Sequence, residues 1–118
     1  MKHRPFGERL AFALAGIAEA FRGESSLRVQ VAAAILVFAS LIVIRPAAVW
    51  WAIVTLTVAL VLAAELFNTS LERLLDRLHP ELHPAIRTAK DCGAAAVLVL
   101  SLAAICVYVA MLIDAWID

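Results

Sequence analysis

Glu65, Asn68, Glu72 and Asp76 fall within one short stretch of an otherwise apolar chain. At 100° per residue they sit at about 0°, −60°, −20° and +20°, forming a single stripe that rises ~16 Å along a helix. Carboxylates and an amide aligned in this way can take up a proton, hold a cation and accept hydrogen bonds. Phe67, Leu71, Leu74 and Leu78 occupy the other faces. Glu65 directly ends a 19-residue uncharged run, Pro46 to Ala64. A carboxylate at membrane depth is costly enough to be a functional candidate by default, the plainer alternative being a boundary residue that snorkels to water.

The elements that must position this stripe are read from composition. The chain has 118 residues, 64% hydrophobic and 17% charged, with a mean hydropathy of +0.94, which excludes a disordered chain or an ordinary soluble domain. Ten basic and ten acidic residues balance, so nothing suggests a nucleic-acid partner. Three uncharged runs, Val29 to Ile44, Pro46 to Ala64 and Cys92 to Ile113, predict an all-α membrane protein with three spans. The first run reaches the thickness of a bilayer only with its flanking turn at Leu27 and Arg28; were it merely interfacial, the other two would form a bare hairpin. Residues 1–118 read as one domain, with a surface helix at about 5–22 and spans at about 27–44, 46–66 and 92–113.

Bases distribute unevenly: Lys2, Arg4, Arg9, Arg22 and Arg28 precede span 1, Arg45 alone joins spans 1 and 2, and Arg73, Arg77, Arg87 and Lys90 join spans 2 and 3. The positive-inside rule puts the N-terminus and the second loop in the cytoplasm, and the Arg45 turn and the tail from Asp114 to Asp118 outside. Trp50, Trp51 and Trp116 then read as anchors at the outer interface. Pro5, Glu8, Arg9 and Glu19 break what a signal peptide would keep apolar. Phe6, Leu10, Leu14, Ile17 and Phe21 recur at helical spacing instead, predicting an amphipathic helix on the membrane face. Cys92 and Cys106 would lie about 21 Å apart on one helix and so read as free thiols.

This topology gathers distant charges at one level. Glu24 precedes span 1, Glu65 and Glu72 close span 2, and Lys90 with Asp91 opens span 3. Each has a structural alternative: Glu24 as a complement to a helix N-terminus, Lys90 as a partner for acidic lipid, Thr88 to Asp91 as a capping box. Together they supply what a hydrated Mg²⁺ and a polyphosphate require, and a metal would relieve repulsion between Glu24 and Glu72. The four glycines fit neither a Walker A loop nor a protein-kinase glycine loop. His79 and His83 flank a loop with Pro80 and Pro84, and no metal-ligand spacing stands out.

The pattern Glu65-x-x-Asn68-x-x-x-Glu72-x-x-x-Asp76, followed by His83 and Ala89-Lys90-Asp91-x-Gly93 and preceded by Glu24-x-x-x-Arg28, resembles the small bacterial integral-membrane diacylglycerol kinases and their undecaprenol kinase relatives. The likeness covers nearly the whole chain. It implies a homotrimer with composite active sites, transferring the γ-phosphate of MgATP to a lipid hydroxyl at the cytoplasmic surface of the bacterial inner membrane. By the same resemblance Glu65 is the general base and Asn68 its supporting amide. Glu24 and Glu72 hold Mg²⁺, and Lys90, Asp91 and the loop Glu81, Leu82 and His83 contact ATP.

The resemblance also implies that Phe12, which stands where the family often has a tyrosine beside the nucleotide, borders ATP without that hydroxyl contact, and that Arg28, Gln30 and Ala94 lie with Glu65 toward the lipid. Gln30 replaces a glutamate usual in diacylglycerol kinases. The segment Gly93 to Val97 is more like that side of the family, and His83-Pro84 more like the undecaprenol side. Diacylglycerol is the expected acceptor and undecaprenol the alternative. A small oligomeric membrane exporter or non-catalytic membrane protein, with Glu65 binding a proton or cation, is the reading from another class; it leaves Glu24, Glu72, Lys90 and Asp91 unexplained.

Overall fold

The computed structural model describes residues 2–117, so Asp118 of the expected outer tail lies outside the described residues. It contains four helices, α1 (Phe6–Gly23), α2 (Ser25–Ile44), α3 (Ala48–Leu78) and α4 (Pro84–Ile117). The last three are long and apolar enough to cross a membrane, with mean hydropathies of 2.4, 2.1 and 2.8 over their most apolar stretches.

Charge ends the apolar runs but does not end the helices. At 1.5 Å per residue, the 31 residues of α3 span about 46 Å and the 34 of α4 about 51 Å, well beyond the ~30 Å of a hydrocarbon core. Leu, Glu and Arg beyond Glu65 are good helix formers and carry α3 on to Leu78. The next helix begins at Pro84, where a missing N–H costs nothing, and the Ala85 N–H donates to His83 Nδ1 at 3.0 Å, making His83 the cap. The capping-box reading of Thr88 to Asp91 is therefore corrected. Thr88 lies inside α4, and its hydroxyl donates back to the Pro84 carbonyl at 2.9 Å.

Two corners set the remaining topology. Between α1 and α2 the chain breaks at Glu24, which is extended (φ −120°, ψ 112°). Arg28 Nη1 then donates to the Phe21 and Arg22 carbonyls at 2.8 and 2.9 Å, satisfying acceptors that the end of α1 would otherwise leave open. Between α2 and α3, Arg45 adopts the left-handed conformation (φ 56°) and returns its N–H to the Leu41 carbonyl, while Pro46 prevents α2 from continuing.

Helix α3 is the hub, with α4 packed along it, α2 over part of its length and α1 at its end. Its buried side chains Val54, Val61, Glu65 and Thr69 keep one face by steps of seven, four and four. At the Arg45 end, Leu41, Val54 and Met111 form a closed apolar cluster backed by Phe38, Trp51 and Val107. Trp50 Nε1 donates to Asp114 Oδ2 at 2.9 Å, and Ser40 meets the Tyr108 hydroxyl. Because α2 and α4 meet little, a cavity of about 310 Å³ remains between them and α3, lined by Gln30, Ala34, Val61, Ser101 and Tyr108 among others.

Only 11 to 17% of the residues in the three apolar stretches are buried within the chain. Their outward apolar faces need a bilayer or further copies to cover them. On α1, Phe6, Leu10, Leu14, Ile17 and Phe21 are all exposed. Charges on it and just before it pair locally, Arg4 with Glu8 and Arg22 with Glu19, and the Arg22 guanidinium holds the Glu19 carboxyl below its usual range by hydrogen bond and charge. Cys92 and Cys106 are free.

Candidate functional site

At the opposite end, the polar stripe of α3 reaches α2 through Glu65 and α4 through Asn68 and Asp76, while Arg73 beside it reaches the α1–α2 corner. Glu65, only 5% exposed, accepts a hydrogen bond on Oε2 from the Ser26 hydroxyl of α2 at 3.1 Å. Its Oε1 takes no hydrogen bond from within the described chain. One turn on, the Asn68 amide fits against α4 because residue 93 is glycine. A Cβ at Gly93 would lie 2.2 Å from Asn68 Oδ1 and 3.2 Å from Leu71, a contact that only a missing side chain permits.

Arg73 Nε pairs with Glu24 Oε1 at 3.6 Å, and its guanidinium crosses Gly23, where a Cβ would come within 2.3 Å of Nη2. Two turns beyond Asn68, Asp76 pairs with Lys90 of α4 at 2.5 Å. Both pairs are partly solvated, so they orient more than they stabilise.

Two features set this end apart from a merely satisfied helix junction. Asn68 Oδ1 is buried without a hydrogen-bond partner, an arrangement that costs about 1–3 kcal/mol unless a donor arrives. Glu72, half-buried between the side of α3 that meets Ser26 and the side that meets Gly93, has no ion-pair or hydrogen-bond partner among the described residues. Among those residues no three His, Cys, Asp or Glu side chains converge as a cage for a metal. Mg²⁺ delivered with a polyphosphate needs no such cage, since it keeps several waters and takes one or two carboxylates. The unpartnered Glu72 and the loosely paired Glu24 match that donor chemistry.

Glu24, Glu65, Asn68, Glu72 and Lys90 thus gather on or around the last turns of α3. Asp91 is exposed on α4 beside Lys90, and Ala94 is exposed one turn further along. Other expected site residues stand elsewhere. Glu81, Leu82 and His83 belong to the short connection before α4 and are exposed. His83 caps that helix, while His79 contacts Glu81. Phe12 lies on α1 with the Arg4 guanidinium 5.6 Å from its ring centre. Arg28 is engaged by the carbonyls of α1, and Gln30 donates to Ser101 Oγ at 3.4 Å, at the wall of the cavity.

The residues missed in the sequence are Ser26 and Arg73. Arg73 had a usable signal, since it lies at about +80° on the α3 wheel, beside Thr69 and toward the α1–α2 corner. Ser26 had only its place, in the first turn of span 1 at the level of Glu65.

A family model for prokaryotic diacylglycerol kinase matches residues 11–112, which covers α1 from its second turn through most of α4. No curated protein matches the chain. The chain belongs to the prokaryotic diacylglycerol kinase family, a family of lipid kinases.

Proposed function

We propose that the protein is an ATP-dependent lipid kinase that transfers the γ-phosphoryl group of MgATP to the hydroxyl of diacylglycerol, giving phosphatidate. The observation that carries this reading is the buried Glu65 carboxylate, oriented by a hydrogen bond on one oxygen where the apolar run of α3 gives way to charge, in a chain of this family. A base at that level can meet a hydroxyl carried by a lipid while phosphates approach from water.

In this mechanism Glu65 Oε1 accepts the proton of the lipid hydroxyl as its oxygen forms the new bond to the γ-phosphorus. The bond from that phosphorus to the β–γ bridging oxygen breaks, and ADP leaves with the electron pair. Asn68 Oδ1 offers an acceptor to a donor that the substrates bring. Lys90, exchanged from Asp76, places its ammonium against the phosphates. Glu24 and Glu72 are the carboxylates that would hold Mg²⁺, which when bound would supply positive charge against the phosphates. Asp91, Phe12 and the Glu81, Leu82 and His83 connection border ATP, while Arg28, Gln30 and Ala94 lie toward the lipid. The cavity beside Val61, one turn from Glu65, suits an apolar lipid chain.

The polar end then faces the cytoplasm of a bacterium, with the N-terminus on that side, α1 on the membrane surface and α2 to α4 crossing the inner membrane. The uncovered apolar faces support assembly of several copies, which we take to be three.

Purified protein in mixed micelles with γ-labelled MgATP, offered diacylglycerol and undecaprenol separately, tests the reading. Preferential labelling of diacylglycerol is expected. Preference for undecaprenol would replace the acceptor and leave the chemistry; transfer to neither, from folded protein, would remove the kinase mechanism and favour an export role for Glu65.

A further inference from the structure

Ser26 is not among the residues that the family pattern marks, yet among the described residues its hydroxyl is the only group that hydrogen-bonds to the Glu65 carboxylate. We propose that Ser26 is a positioning residue that holds Oε2 of Glu65 and so aims Oε1 at the acceptor hydroxyl. The proposal rests on Glu65 being the base.

The placement of Ser26 is fixed from several sides. It is the second residue of α2, directly after the break at Glu24. Its neighbour Leu27 is buried, and Arg28 ties the same turn to the last carbonyls of α1. Glu24, two residues back, is paired with Arg73 of α3. The corner, held by contacts within the chain, therefore presents one hydroxyl to a residue 39 positions away in sequence. No side chain caps α2, so the partial positive charge of its first turn adds to the attraction for the carboxylate. Ser26 is itself exposed, so shortening it leaves no cavity, and a loss of rate would not be a loss of packing.

The experiment measures kcat, KM for MgATP, KM for the lipid acceptor and the melting temperature of Ser26→Ala, Ser26→Cys and Ser26→Thr, each with Glu65 intact and as Glu65→Gln. Ser26→Ala should lower kcat about tenfold, as loss of one hydrogen bond to a charged group does, with both KM values and the melting temperature unchanged. Ser26→Cys, similar in size but a weak donor, should behave the same way, and Ser26→Thr should restore most of the rate. In Glu65→Gln, Ser26→Ala should add no further loss.

A wild-type kcat in Ser26→Ala overturns the proposal, as does an equal loss on both backgrounds or a rise in acceptor KM alone. A Glu65→Gln enzyme that turns over normally overturns the base assignment, and the proposal with it.

Discussion

The two ends of the helix bundle are built on opposite principles. Around Leu41, Val54 and Met111 the side chains are buried and apolar, and the polar groups there, such as Trp50 with Asp114 and Ser40 with Tyr108, find partners within the chain. Around Glu65 several contacts between helices run through ionisable, amide or hydroxyl groups, and some of that capacity is unused: Asn68 Oδ1, Glu72 and Oε1 of Glu65. A membrane protein gains nothing in stability from polar groups left open at a helix junction. The difference teaches that one end is closed by apolar packing within the chain, while the other leaves polar groups open where the proposed reaction needs them.

That contrast can be broken at either end. The largest effect belongs to Glu65→Gln, which keeps size and can still accept from Ser26 but cannot take a proton. Phosphate transfer should fall by at least about a hundredfold with an unchanged melting temperature. Leu41→Ala at the opposite end should do the reverse, lowering unfolding free energy by about 2–5 kcal/mol while transfer per folded molecule stays near wild type.

Smaller effects sharpen the polar end. Gly93→Ala pushes a Cβ into the Asn68 amide, and turnover should fall about tenfold, a factor that disappears when Asn68 is already alanine because the two changes share one cause. Glu72→Ala should raise the Mg²⁺ concentration needed for half-maximal rate severalfold, with maximal rate less affected. An unchanged Mg²⁺ titration would argue against Glu72 as a metal carboxylate.

Much of this division could be read from the residues. The uncharged runs gave the three long helices, and the 3.6-residue period placed Glu65, Asn68, Glu72 and Asp76 on one stripe before any partner was known. What could not be read was where the helices stop, because hydropathy reports the solvent around a helix while its continuation to Leu78, and from Pro84, depends on helix-forming residues and on a cap at His83. Nor could the partners be read. Asp76 pairs with Lys90, and Arg73 with Glu24, only because α4 and the α1–α2 corner cross α3 at those heights. Ser26 looked like any small residue opening a span until the buried carboxylate appeared beside it.

The most direct test measures initial rate and melting temperature on the same preparations of wild type, Glu65→Gln and Leu41→Ala, with γ-labelled MgATP and a saturating lipid acceptor. The expected result is a crossed pattern: Glu65→Gln loses rate and keeps stability, whereas Leu41→Ala loses stability and keeps its rate per folded molecule. Rate and stability falling together in both variants, or a Glu65→Gln enzyme close to wild type, would contradict the assignment of the polar end as the place where phosphate is transferred.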